Sequence, residues 1–376
     1  MKKRVQWIDM AKGIGLILVM YGHIQFRPYP FYVWLCSFHM PLFFFLAGIT
    51  FQVRQEEKFF SFFKKKVKAL LIPYMIFASV TWFYRLGVEI WDYFRKGTAI
   101  DWGWLMHKAL GILLQVRGSE FGIGVWFLPC IFVAFIILFA IIKISGGRKE
   151  VSVLLGSICL IIGFLYSTRI GKELPWSLDA ALVAVFFMAI GNVFSEKLMD
   201  LERNHCVRFN MKNVLIVLIA IVGSLLFSWC NYGILDRAVG MWSNNYGDFW
   251  YFILGVVGGI AITVIFCNAC HISFLKQIGK NSIFYYGIHG LFVERFSRIF
   301  RQFPGADGNG GLAFLYATVM VAVILLILGA LLPAYQTCYQ RTTDAVAIRW
   351  RMFRQRGVIH RTGRWQWLVK ERKYSR

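Results

Sequence analysis

Ten apolar runs, each about the 20 residues that an α-helix needs to cross a bilayer, are separated along this chain by short polar breaks. They start near Ile8, Val33, Ala69, Phe121, Val151, Trp176, Val214, Phe249, Ser282 and Leu312, the ninth being interrupted at its end by Glu294, Arg295 and Arg298. Of 376 residues 58% are hydrophobic and 16% charged, with a mean hydropathy of +0.57, which excludes a soluble domain built around one core. The pattern predicts an all-α, polytopic integral membrane bundle of about ten transmembrane helices, because a helix pairs its backbone polar groups within the segment. No large soluble domain or internal repeat is evident, and the longest outer segment runs from about Trp91 to Gly118. The expected organisation is a transmembrane domain over 1–335 and a basic tail over 336–376.

The formal net charge of +23 would suit a nucleic-acid partner if the basic residues shared one surface. They are sorted by loop instead. With the N-terminus cytoplasmic, the loops on that side and the tail hold 29 Lys and Arg against 11 opposite, including Arg54, Lys58, Lys64, Lys65, Lys66 and Lys68 in one loop. That asymmetry predicts both termini in the cytoplasm and a multi-pass protein of the inner or plasma membrane. From Arg341 onward, basic residues interleaved with Trp350, Phe353, Trp365 and Trp367 suit an anionic lipid leaflet, with a solvated, partly disordered tail as the alternative. The opening Lys2-Lys3-Arg4 resembles a signal peptide, but Asp9 and Lys12 break the apolar region and no small-residue cleavage pattern follows, so it is read as a retained first helix.

The eight cysteines fall mostly in or beside apolar runs, where a free thiol behaves as a small hydrophobe, so no disulfide framework is expected. Cys267-Asn268-Ala269-Cys270-His271 has the spacing of covalent haem attachment, yet the topology leaves it on the cytoplasmic side and no further metal ligand lies nearby. No haem or metal is expected. Ser61-Phe62-Phe63-Lys64 matches S-x-x-K without its companion motifs. The glycine pairs at Gly13 and Gly15 and at Gly122 and Gly124 lack the context of a nucleotide loop and suit close helix packing.

The chemistry concentrates in the first two runs, because ionisable side chains inside a span are costly and mark function by default. Lys12 and His23 are eleven residues apart, which closes to within about 20° of whole turns, and Asp9 to His23 closes to within about 40°. All three share one helix face, with Lys12 about 16 Å and Asp9 about 21 Å from His23 along the axis. His39 lies about six residues into the second run, at a depth within several ångströms of His23. A neutral imidazole is suited to accept and return a proton near neutral pH. Asp9 is placed to form a local ion pair with Lys12.

These segments resemble the membrane-bound acyltransferase-3 family, and within it the fucose-4-O-acetylase-like polysaccharide O-acetyltransferases. The matching residues are Trp7-Ile8-Asp9, Lys12-Gly13, Gly22-His23, Phe38-His39-Met40-Pro41-Leu42-Phe43-Phe44, Lys64 to Lys68 leading to Leu71-Ile72-Pro73-Tyr74, Trp126-Phe127-Leu128, and Gly279-Lys280-Asn281-Ser282 ending in Tyr285-Tyr286-Gly287-Ile288-His289. They are ordered along about three quarters of the chain. The resemblance implies a ten-helix enzyme that takes an acyl group, usually acetyl from acetyl-CoA, and places it on a hydroxyl of a cell-envelope glycan or glycolipid. His23 aligns with the family's essential first-helix histidine and Lys12 with its basic residue, where many members carry Arg; many also carry Ser at Ala47. Lysine keeps the charge and loses the bidentate fork.

In this reading Lys12, Lys64, Lys65 and Lys68 hold the anionic donor. His23 deprotonates the acceptor hydroxyl or transiently carries the acyl group, both routes remaining open. His39 orients the acceptor or stabilises the oxyanion, or else packs the bundle. Trp126, Tyr286 and His289 stand as substrate contacts or structural supports. The competing expectations are a proton-coupled transporter or flippase of a glycan or lipid-linked intermediate, and a non-catalytic receptor. Repeated halves would favour a transporter, and no second copy of the paired-histidine hairpin is present.

Overall fold

The computed structural model describes residues 5–24, 29–54, 56–115, 125–203, 211–306, 310–338 and 340–341. In chain order its helices are α1 (Gln6–His23), α2 (Tyr29–Thr50), α3 (Phe59–Lys66), α4 (Ile72–Lys96), α5 (Trp102–Leu114), α6 (Phe127–Ile144), α7 (Lys149–Arg169), α8 (Leu178–Val193), α9 (Ser195–Arg203), α10 (Met211–Leu235), α11 (Phe249–Ala269), α12 (Ser273–Lys280), α13 (Ser282–Phe300) and α14 (Gly311–Cys338). Among the described residues the only β feature is an isolated bridge between Gly240 and Asn245. Two compact units are distinguished, Met1–Ile324 and Leu325–Arg376, and α14 runs from the first into the second. The aromatic basic tail beyond residue 341 lies outside the described residues, as do Lys2 to Arg4 and both Gly122 and Gly124.

Among the described residues, eight helical stretches are long and apolar enough to cross a membrane, which makes this an all-α polytopic membrane protein. The remaining two of the ten expected runs form α1, of 18 residues, and α13, of 19 residues. Their length suffices for a crossing, but Asp9 and Lys12 dilute the apolarity of α1, and Glu294, Arg295 and Arg298 that of α13. These two helices also carry His23 and His289.

The third run differs most from its expected start near Ala69. A single 38-residue helical stretch runs from Phe59 to Lys96, joining α3 to α4 through a π-helical segment, Val67–Leu71. Lysines end the apolar pattern at 64 to 68 without ending the helix, because lysine is a good helix former. The segment expected to be an outer loop is also largely helical. α4 extends to Lys96 and stops at Gly97 in a left-handed conformation, φ 70°. After it, Asp101 caps α5 by accepting a hydrogen bond from the Trp104 backbone N–H at 2.8 Å. α5 then folds back on α4: the Tyr74 hydroxyl donates to the Ile112 carbonyl at 2.6 Å, and the Trp82 indole N–H to the Leu105 carbonyl at 3.0 Å.

Two contacts set the frame around α1. Gly22 faces Leu35, and Gly15 faces Leu42 and Phe43, so α1 and α2 pack antiparallel in a defined register. On another side α12 lies against α1 without room for side chains. A methyl group on Gly13 would meet the Leu275 carbonyl oxygen, and one on Gly279 the Asp9 carbonyl oxygen. Small residues permit such backbone approach in membrane bundles.

Candidate active site

Lys12, Leu16, Val19 and His23 follow one another at i, i+4, i+7 and i+11 and form one stripe of α1. Lys12 and His23 are half-buried at opposite ends of that stripe, and Asp9 is buried near Gly279. On α13, Ser282, Tyr286 and His289 form a second stripe at i, i+4 and i+7. The two stripes meet at their far ends. The His23 and His289 rings lie 5.4 Å apart between centroids, inclined by 38°.

His289 is fully buried. Its Nδ1 lies 2.7 Å from the Tyr286 carbonyl oxygen, which can only accept, so Nδ1 carries the proton and donates it. That leaves Nε2 as an acceptor, and this atom is buried with no hydrogen-bond partner among the described residues. A buried acceptor without a donor is uncommon enough to call for an explanation. The tilted ring of His23 beside it is a source of such a donor.

His39 does not join this pair: among the described residues no ring contact or hydrogen bond links it to His23. Its Nδ1 donates to the Leu35 carbonyl at 2.7 Å. It stands one turn from Phe43, on the side of α2 that carries Leu35 and Phe43 toward α1. By the α1–α2 register it lies about 7 Å deeper than His23.

Between Lys12 and the histidine pair lies an apolar slot of about 50 Å³, bounded by Leu16 of α1, Met40 and Phe43 of α2, Phe127 and Leu128 of α6, and Ser282, Ile283 and Tyr286 of α13. Tyr286 is buried, and its hydroxyl accepts a hydrogen bond from the Phe127 backbone N–H at 3.2 Å. This closes one of the donors left open at the start of α6. Trp126 is buried next to it, with its ring edge-on to Phe127 at 6.4 Å. Tyr286 and Phe127 thus form the slot's wall at the start of α6, with Trp126 against Phe127.

The predicted lysines are divided by the fold. Lys64, Lys65 and Lys68 are exposed, whereas the Lys66 ammonium sits 3.2 Å from the Phe135 ring centroid, with the Phe51 and Phe62 rings at 5.1 and 5.6 Å. Such a box holds a cation by the negative faces of the rings. Lys65 and Lys66 line a cavity of about 1390 Å³ at the C-terminal end of α2, together with Arg54, Lys149, Asn192 and Glu196. Lys149 bonds Glu196 there at 2.6 Å and holds its carboxyl below the ordinary carboxylate range. Lys12, Lys64 and Lys68 do not line this cavity. Sequence reasoning missed the aromatic box around Lys66; of its three rings only Phe62 lies beside the lysine run, while Phe51 and Phe135 come from distant positions that leave no local signal.

Cys267 and Cys270 carry free thiols at the end of α11. Among the described residues no group of three or more His, Cys, Asp or Glu side chains is gathered as a metal site.

This helical bundle, with a histidine pair inside it, is the setting of a membrane acyltransferase. A family model described as an acyltransferase domain, that of acyltransferase family 3, matches residues 5–333, and the chain belongs to that family. No curated protein and no solved structure gives a match.

Proposed function

We propose that this membrane acyltransferase moves an acetyl group from cytoplasmic acetyl-CoA to a hydroxyl of a cell-envelope or extracellular glycan, in the inner or plasma membrane. The observation that carries the reading is the pair of helix stripes that bracket the slot, one running from Lys12 to His23 and the other from Ser282 to His289. A cation at one end suits the phosphates of the donor. An apolar passage suits the narrow pantetheine arm, and the axial distance of about 16 Å suits its extended reach. Imidazoles at the other end supply proton transfer.

In the direct route, His23 takes the proton of the acceptor hydroxyl while its oxygen attacks the thioester carbonyl. The new C–O bond forms, the C–S bond breaks, and the proton passes from His23 to the departing sulfur. His289, with Nδ1–H committed to Tyr286, presents Nε2 as an acceptor beside the His23 ring, and its assigned role is to position His23 by taking that ring's N–H during transfer. His39 on α2 is assigned to orienting the acceptor or stabilising the oxyanion. Lys64, Lys65 and Lys68 attract the donor's phosphates, and Lys65 continues that role into the charged cavity. The basic asymmetry of the loops supports assigning this end to the cytoplasm, with both termini there and the tail on anionic lipid.

The test compares cells with and without the protein. Ester-linked acetyl on surface glycans, released by mild alkali and quantified, should be present with the wild-type chain and lost in its absence. Equal acetylation in both strains would contradict the proposal.

A further inference from the structure

The slot is much narrower than the donor whose arm the proposed function routes through it. A group delivered to His23 from the Lys12 end has to pass Leu16, which lies about 6 Å beyond Lys12 and about 10 Å short of His23 along α1. Phe43 of α2 and Ser282 and Tyr286 of α13 face that level from the other sides. The open space there is about 50 Å³, room for a group of only a few heavy atoms.

Three walls are fixed. Phe127 is held by the Phe43 and Phe44 rings, at 5.6 and 5.1 Å, and by the bond from its backbone N–H to Tyr286. Phe43 has its ring end against Gly15, where even a methyl group would come within 2.9 Å of it. Tyr286 is buried between Phe127 and His289, with ring centroids at 5.6 and 5.9 Å. The fourth wall, Met40, is unbranched and adaptable. It also precedes Pro41, which has no N–H to give the Ser37 carbonyl and loosens α2 at that point. The slot can therefore yield on the Met40 side to pass a thin chain, while its aromatic walls resist extra bulk.

We propose that the constriction formed by Leu16, Met40, Phe43, Phe127, Ser282 and Tyr286 is an acyl-width filter, passing straight-chain acyl groups as thin as the donor's own arm, acetyl among them, and excluding branched or ring-bearing acyl groups before they reach His23. The proposal rests on the acyl-transfer reading and adds what sets its donor specificity. Phe43 and Met40 are the specificity-determining residues: one ring sets the width and one flexible side chain gates it. Discrimination in an apolar pocket runs at about 10 to 200-fold per methylene.

The experiment measures kcat/KM for acetyl-, butyryl-, isobutyryl- and benzoyl-CoA with the purified full-length protein and with Phe43→Ala, Phe43→Leu and Met40→Ala. The wild type should prefer butyryl over isobutyryl, which has the same atoms in a wider arrangement, by at least about 10-fold. Phe43→Ala should bring that ratio close to unity, chiefly by raising isobutyryl transfer. Phe43→Leu and Met40→Ala test the same shift with less disturbance of packing, and acetyl-CoA binding with a single chromatographic species establishes that each variant is folded. A wild type that transfers all four groups equally, or folded variants whose acyl preference is unchanged, would overturn the filter and leave the transferase reading intact. A wild type inactive with every acyl-CoA would overturn both.

Discussion

His23→Ala should reduce acyl transfer by at least about 10² to 10⁴-fold, the usual contribution of a general acid or base, while leaving acetyl-CoA binding close to normal. The expectation follows from the separation of tasks along α1. His23 ends the helix beside His289, whereas Lys12 lies about three turns away at the proposed entry of the donor. His289→Ala should produce a smaller loss, and His289→Gln a smaller one still if the amide oxygen can stand in as acceptor for the His23 N–H. Single-turnover transfer and equilibrium binding on the same preparations check both points. Near-normal transfer by a folded, inserted His23→Ala protein would remove the catalytic assignment while leaving family membership untouched.

Gly279→Ala should be nearly as damaging, for a reason that involves no chemistry. The added methyl group has no space between α12 and the Asp9 carbonyl, and backbone cannot rotate away as a side chain can. α12 and α1 must part, at a cost on the order of 1–3 kcal/mol for overpacking. The parting moves the turn of α1 that carries Asp9 and Lys12, and a displacement near 1 Å at a positioning group can cost about 10²-fold in rate. A lower unfolding temperature in detergent and a raised KM for acetyl-CoA are expected together. Unchanged stability and kinetics would mean that the close approach of the two helices has no bearing on the donor end.

Much of this arrangement was legible in the chain because it is periodic. Lys12, Leu16, Val19 and His23 announce a face by spacing alone, and apolar runs of bilayer length announce the bundle. What spacing cannot announce is which faces meet. His23 and His39 lie near each other in sequence and at similar depth, so the hairpin suggested a pair. The structure turns His23 toward His289 instead, because α13, which follows α12 in the chain, also packs against α1, while Gly13 and Gly279 let α12 itself lie close to α1. Tyr286 and Phe127 are 159 positions apart, and the hydrogen bond that makes them one wall of the slot leaves no local trace. The long helix from Phe59 to Lys96 was missed for the opposite reason: hydropathy changes at the lysines, but helix propensity does not. α5 was hidden because its Trp, Leu and Met side chains lie in a short apolar stretch too brief to read as a span.

The most direct measurement is the fate of radiolabelled acetyl supplied as acetyl-CoA to the purified wild-type protein together with an envelope glycan as the proposed acceptor. The account predicts label in alkali-labile ester on the glycan, with one free CoA thiol released for each ester formed. Label that stays on CoA, or is lost to water with no ester on the glycan, would contradict it.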